Sequence, residues 1–331
     1  MAKFSELIVL TIGDLEDNLG ADQFRRFVAR SEQRFVDQVT HVADYILNNP
    51  SIRAIFVSGP TSSGKTTSSK LMAERLTKAG LRTWHLEMDD YYRTEDLRYD
   101  EDGRPDYESI DTLDLQLFSE DLQRILNYEN VPIPTFDFAS RTRHYEQDKT
   151  ICLEKNDVVL VEGLHGISEQ VTSKLPRDQR LSYFIMPHAR VLSDARMLSG
   201  SDIRVLRRIS RDVRHRGATA LDTIDYWPMI ERAENAFIPV YLKAADFYIN
   251  SVLPYEFMVV APMAYREIEK SLDLFFNRKL PPSSYSSNPS GHSDLKLAVK
   301  EAARLSWVCE QIPAVTPSFV PENSILQEFI R

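Results

Sequence analysis

The stretch Ala54-Ile-Phe-Val-Ser-Gly59-Pro-Thr-Ser-Ser-Gly64-Lys65-Thr66-Thr67 decides how this chain folds. A short apolar run of β-branched and aromatic residues reads as a buried strand, and it ends in the glycine that opens Gly-x-x-x-x-Gly-Lys-Thr. The residues that follow, Ser68-Ser-Lys-Leu-Met-Ala-Glu-Arg-Leu, read as a helix. Strand, glycine-rich loop and helix in that order form a phosphate-binding loop. Its backbone N–H groups turn inward toward an anion, and the helix N-terminus adds the positive end of its dipole. The Lys65 ammonium can then reach the β- and γ-phosphates of a nucleoside triphosphate, and the Thr66 hydroxyl is placed to ligate Mg²⁺.

Outward from this loop the chain alternates between strand and helix. Strands are expected at 53–58, 83–89, 157–162, 181–186 and 245–250, and helices at 65–78, 112–126, 202–216 and 228–244. The strongly apolar strands suit a sheet covered on both faces, which gives an α/β, doubly wound domain with a five-stranded parallel core. Ligands of such sheets bind beyond the carboxyl ends of the strands, where Gly59, Asp89 and Glu162 fall. Ahead of the loop, Phe24, Phe27, Val28, Phe35, Val39, Val42 and Ile46 recur at helical spacing. Beyond residue 251 come an apolar helix at 263–276, a Ser/Pro-rich loop at 281–291 and a helix at 293–310. Segments 92–111 and 131–150 are polar, aromatic and irregular, as substrate-facing insertions are. The expected division is a helical extension at 1–50, the loop-bearing domain at 51–252 and a mostly helical segment at 253–331.

With 331 residues, 43% of them hydrophobic, the chain can bury a large core. Its net charge of −9 offers nucleic acid and anionic membranes no general attraction. Cys152 and Cys309 match no metal or disulfide spacing and fit a reducing compartment. The first residues lack a signal-peptide pattern, and no run approaches the ~20 apolar residues of a membrane span. A cytoplasmic protein is expected, with room for a homo-oligomer.

Three further features carry chemistry. In Glu87-Met-Asp89-Asp90-Tyr91-Tyr92-Arg93, carboxylates end a strand one β-unit after the loop, where a general base can take a proton from an acceptor hydroxyl. In Val158-Val-Leu-Val-Glu162-Gly163, a single carboxylate ends a buried strand, where it can hold Mg²⁺ directly or through water. From Asp202 to Gly217 runs a helix with six arginines. Leu206, Ile209 and Val213 form its apolar stripe, while Arg204, Arg208 and Arg211 share another face. A solvated basic face or an RNA contact would use such a pattern. In an acidic protein, a lid closing over polyphosphate accounts for it best.

Taken together, these motifs resemble the uridine kinase and phosphoribulokinase family of P-loop kinases. The resemblance covers about 53–252 and includes Ile-Pro-Thr-Phe-Asp-Phe-Ala-Ser-Arg-Thr-Arg (133–143) and Ala-Asp-Phe-Tyr-Ile-Asn (245–250). A closer resemblance is to the uridine-kinase-like half of bacterial proteins with a threonyl-tRNA-synthetase-like N-terminal part. It rests on Asp102-Gly-Arg-Pro-Asp-Tyr-Glu-Ser-Ile-Asp111, Glu162-Gly-Leu-His-Gly166, Trp227-Pro228 and Asn323-Ser-Ile-Leu-Gln-Glu-Phe-Ile330. Here a helical stretch at 21–48 stands before the kinase-like region in place of the synthetase-like part.

The resemblance implies that Gly59, Thr61, Ser62, Ser63, Gly64, Lys65, Thr66 and Thr67 bind ATP, with Arg216, and that Thr66 and Glu162 hold Mg²⁺. It makes Asp89 the catalytic base, Tyr92 an aromatic against the acceptor, and Glu108 the carboxylate that grips ribose hydroxyls. Arg208 and Arg211 contact acceptor or triphosphate. This chain departs from the family's pyrimidine-reading pattern: Phe136 and Arg141 replace a tyrosine and a histidine, and Ala218 stands at a lid arginine position. A site without those hydrogen-bonding groups loses their discrimination. The expected activity is phosphoryl transfer from ATP to a hydroxyl of uridine, cytidine or another small acceptor. A regulatory or RNA-associated ATPase, or a sugar-phosphate kinase of phosphoribulokinase type, are the alternatives.

Overall fold

The structure is a computed structural model that describes residues 6–331 apart from 96–97, 139, 194–195, 284 and 287–290, so parts of the expected segments at 92–111 and 131–150 and of the loop at 281–291 lie outside the described residues. Strand β1 (Ile8–Thr11) leads through the short helix α1 (Ile12–Glu16) into the long helix α2 (Ala21–Leu47). Then follow β2 (Ala54–Ser58), α3 (Lys65–Lys78), β3 (Thr83–Glu87), α4 (Leu115–Leu126), β4 (Val131–Asp137), β5 (Thr142–Ile151) and β6 (Val158–Glu162). The second half comprises α5 (Glu169–Thr172), β7 (Arg180–Met186), β8 (Ala189–Leu192), β9 (Arg196–Ser199), α6 (Gly200–His215) and α7 (Ala220–Ala244). It continues with β10 (Phe247–Asn250), α8 (Phe257–Phe276), α9 (Leu295–Glu310) and α10 (Gln327–Ile330).

All five expected strands join one sheet, in the order β10-β7-β2-β6-β3, and every pairing is parallel. The loop-bearing strand β2 lies at its centre and is buried along its whole length. Because side chains alternate across a strand, Ile55 and Val57 enter one core and Ala54 and Phe56 the other. The first core is shared with α2, α3, α6 and α8, the second with α4 and the β4–β5 pair, so both faces are covered. Each fully buried Ile, Val or Phe contributes about 1.5–3 kcal/mol, enough to fix the register of this central strand.

Several expectations change. Segment 131–150, expected to be irregular, is an antiparallel hairpin of β4 and β5 whose register shifts between Pro132 and Pro134. The two prolines and an exposed, polar second strand hide it from a reading by apolar alternation. The second expected strand, 83–89, stops at Glu87, and Asp89 sits on the following 3₁₀ turn Met88–Tyr91. Helix α7 begins at Ala220 rather than at Pro228, because Thr219 and Asp222 form a capping box. Pro228 and Pro239 both lie inside that helix, and Pro262 lies inside α8, which begins at Phe257 rather than near 263. A small sheet in the order β1-β8-β9 was not foreseen, its strands being only four residues long.

Cys152 is exposed just beyond β5, whereas Cys309 is buried in α9 and burial pushes its thiol up to about 12. Among the described residues, no helix is long and apolar enough to cross a membrane.

Candidate active site

The phosphate loop is shaped by contacts on all sides. Gly59 follows β2 so closely against β7 that a Cβ there would lie 2.1 Å from the Ile185 carbonyl. Gly64 has φ +88°, a left-handed conformation that glycine adopts without strain, and it caps the N-terminus of α3. Lys65 Nζ lies over the loop and donates to the carbonyls of Gly59 at 2.8 Å and Pro60 at 3.2 Å. Parallel pairing sets Val57 opposite Glu162, which brings the carboxylate at the end of β6 to the start of α3. There Thr66 Oγ1 donates to Glu162 Oε1 at 2.8 Å.

A hydroxyl and a carboxylate are hard oxygen donors and fit Mg²⁺. Among the described residues no group of three or more His, Cys, Asp or Glu is arranged to hold a metal. A cation between Thr66 and Glu162 would therefore take its other oxygens from nucleotide and water. His85, on β3, stands 3.2 Å from Glu162 and 3.3 Å from Glu87. Burial opposes its charge, but contact with the two carboxylates outweighs burial and carries the imidazole to about 9. Sequence reasoning missed His85. Its signal was its place in β3, one strand over from Glu162.

The acceptor side is built on the turn after β3. The Asp89 carboxyl opens onto solvent in a crevice, where the surrounding protein desolvates it. Desolvation raises it to about 6, with Lys65 pulling the other way and Glu162, Glu87 and Asp90 adding to the rise. Asp90 has a different task. It accepts from the Phe136 backbone N–H at 3.2 Å and from Lys149 at 2.6 Å, which ties the hairpin to the turn. Tyr92 donates to the Tyr107 carbonyl at 2.9 Å, and its ring meets Phe136 at 5.6 Å and Phe138 at 5.2 Å. Glu108 is 8% exposed, and burial raises it to about 7 against the attraction of Arg208. Beneath it His165 contacts the Glu108 carbonyl at 2.8 Å and the Tyr241 hydroxyl at 2.7 Å. Burial lowers this imidazole to about 4, so it is neutral and must donate to the carbonyl through Nε2 and accept through Nδ1.

The arginine helix α6 crosses the loop, and most of its cations are buried. Arg204 pairs with Glu234 of α7 through two bonds of 2.5 and 2.6 Å and reaches the Thr61 carbonyl at 3.4 Å. Arg207 is fully buried; it binds both Glu256 oxygens at 2.7 and 2.9 Å and the Ser62 carbonyl at 3.2 Å. Arg208 touches Thr61 Oγ1 at 3.2 Å and Asp212 at 3.0 Å. Arg211 meets Glu328 at 3.4 Å and Asp212 at 3.6 Å. Arg216 is half exposed and lies 3.5 Å from Asp212, the carboxylate shared by three of these cations.

The fold thus brings Asp89 within electrostatic reach of Lys65 and Glu162, and Glu108 within reach of Lys65, Asp89 and Arg208. Thr66 joins through Glu162, and Phe136 through Tyr92, which Asp89 and Glu108 influence. Arg141 is set apart. It has φ +55° at the hairpin turn, and its guanidinium donates to the Glu95 carbonyl at 2.8 Å. There it lines a cavity of about 420 Å³ with Tyr92, Arg93 and Arg98. Arg207 was missed because its partners, Glu256 and the Ser62 carbonyl, are remote in sequence, and Asp212 because a carboxylate among arginines of one helix reads as local charge pairing.

Residues 54–256 match the Phosphoribulokinase / Uridine kinase family. The chain belongs to this family. A uridine kinase of Macrococcus caseolyticus is 30% identical over 199 residues, covering 59% of this chain and 86% of that protein. A uridine kinase of Leuconostoc citreum is 32% identical over 204 residues, covering 60% of this chain and 86% of that one. A solved structure described as a possible uridine kinase from Bacillus stearothermophilus superposes with a TM-score of 0.43 at 16% identity, over 64% of this chain and 97% of that one. By family the protein is a uridine-kinase-like P-loop kinase, a phosphotransferase acting on a small molecule.

Proposed function

We propose that this kinase transfers the γ-phosphate of ATP, with Mg²⁺, to a hydroxyl of a nucleoside, nominally uridine or cytidine, or of a small acceptor of similar shape. The observation that carries the reading is Asp89: a carboxyl raised to about 6, in a crevice between the phosphate loop and the Tyr92–Phe136 pair. At neutral pH it is ionised yet basic enough to take a proton, as a general base must be. A nucleotide switch has no use for such a group.

In this reading Lys65 and the loop N–H groups would bind the phosphates, and Thr66 and Glu162 would hold Mg²⁺, which would supply positive charge for the transfer. Asp89 orients the acceptor hydroxyl and takes its proton. Glu108 binds neighbouring hydroxyls, Tyr92 and Phe136 flank a flat moiety, and Arg208 with Arg211 neutralises charge as the phosphoryl group moves. We assign the kinase domain to 51–252, with 1–50 as its helical extension and 253–331 packed on it, and place it in the cytoplasm. The resemblance of 102–111, 162–166, 227–228 and 323–330 to the uridine-kinase-like half of synthetase-linked bacterial proteins supports the same chemistry on an altered acceptor site. A second reading, a phosphorylated sugar as acceptor, is favoured by one observation: Arg93, Arg98 and Arg141 share the cavity beside Tyr92.

The test is ADP release from Mg·ATP against a panel of nucleosides, sugars, polyols and sugar phosphates. Stimulation by uridine or cytidine supports the first reading, and stimulation by phosphorylated sugars alone supports the second. ATP binding without stimulation by any acceptor refutes both and leaves a regulatory ATPase.

A further inference from the structure

The family match ends at residue 256, yet a segment far beyond it rests against the phosphate loop. Ile325 is buried so tightly on Gly64 that a Cβ at that glycine would lie 2.0 Å from the isoleucine Cδ1. Phe329, fully buried, carries the Arg207 guanidinium above its ring at 5.1 Å. Arg207 in turn binds the Ser62 carbonyl. Two side chains from one short segment therefore support the loop at both ends of its 62–64 turn, Ile325 directly and Phe329 through an arginine.

The segment is itself anchored. Ser324 Oγ lies 3.2 Å from the Tyr255 hydroxyl. Arg214 donates to the Phe329 carbonyl at 2.9 Å, and His215 lies 2.9 Å from the Arg331 carbonyl. Glu328 faces Arg211.

The supported turn needs such help. Ser62 has φ +56° and Gly64 φ +88°, so two residues within three hold left-handed backbone, and Ser62 does so with a side chain. An anion-binding loop works through fixed N–H directions, and those directions are lost when the backbone relaxes toward ordinary conformations. The loop's tight turn is thus maintained by packing from outside it.

We propose that Ile325 and Phe329 are positioning residues for nucleotide binding: Ile325 acts through Gly64, and Phe329 through Arg207 and the Ser62 carbonyl. The inference rests on the reading of the loop as the Mg·ATP site.

The test is calorimetric titration of Mg·ATP into the full chain without acceptor, so that the acceptor's identity does not enter. Ile325→Ala and Phe329→Ala are expected to weaken binding about tenfold, a change of about 1.4 kcal/mol. Ile325→Val, which loses a single methyl-sized group, is expected to weaken it about twofold, and it decides the matter if the alanine variants fail to fold. Leu305→Ala, in α9, removes a fully buried side chain of the same region and serves as the control for general destabilisation. It is expected to lower the melting temperature yet bind Mg·ATP like the native protein. Native-like binding by the Ile325 and Phe329 variants overturns the proposal, and so does an equal loss of affinity in Leu305→Ala. If the native chain itself binds no Mg·ATP, the kinase reading falls with it. If the native chain and the variants bind alike, only this assignment falls.

Discussion

Replacing Glu108 with glutamine is expected to stabilise the protein at pH 8 while weakening its hold on the acceptor. Glu108 is 8% exposed, and burial carries its carboxyl from an ordinary 4.5 to about 7 although Arg208 pulls it down. In the unfolded chain the same carboxyl ionises near its ordinary value. An acid raised on folding gives stability that is fully present below about 4.5 and is lost as pH climbs through about 7. The gap between the two values converts to about 3 kcal/mol, felt in full above pH 8. Glutamine keeps the shape and never ionises, so it escapes that cost. For a chain of this size the gain is roughly 4–5 °C in melting temperature at pH 8, shrinking toward zero at pH 5. Thermal unfolding of both proteins from pH 5 to 8.5 reads the difference directly. Parallel curves across that range, or a glutamine variant less stable at pH 8, would refute the reasoning and show that Arg208 has already compensated the charge.

Other expectations follow from the same site. Lys65→Ala should cut turnover by about 10²–10³ in an ADP-release assay, and near-normal activity would sink the loop's role in transfer. Asp89→Asn should keep Mg·ATP affinity and lose transfer; equal loss of both would make Asp89 a structural or metal residue. In the native enzyme kcat should fall about tenfold per pH unit below about 6, because Asp89 is raised and must be ionised to act, and a flat profile down to pH 5 contradicts that. Glu256→Gln leaves the buried Arg207 without its counter-charge and should cost about 3–5 kcal/mol in urea unfolding; a loss below 1 kcal/mol would be inconsistent with that burial.

What could be read ahead of the structure depended on whether a residue's partners were local. The loop, the five strands and the Thr66–Glu162 pair follow from short apolar runs and their ends, because a parallel sheet places those ends together whatever lies between. The β4–β5 hairpin escaped because Pro132, Pro134 and the polar run from Thr142 to Thr150 carry none of the alternation that burial imposes elsewhere. Asp89 and Asp90 look interchangeable in sequence, yet Lys149, 59 positions onward, claims the second and leaves the first free for the crevice. The arginines of α6 read in sequence as cations for a ligand closing over the loop. Arg204 and Arg207 instead spend their charge on Glu234, Glu256 and loop carbonyls. Charged helix faces usually meet water, and only the tertiary fold reveals which ones are roofed over.

The two cysteines have unequal fates, and that makes the enzyme easy to label. Cys309 is buried and held as a thiol, while Cys152 stands in solvent where the hairpin's second strand ends. Alkylation needs an accessible thiolate, so a maleimide dye at neutral pH should attach once, at Cys152. The native chain thereby carries a fluorophore handle beside the element that brings Phe136 to Tyr92. A change in its emission when acceptor is added would report movement of that hairpin without a single mutation, and two dyes per folded chain would show Cys309 to be less enclosed than the fold requires.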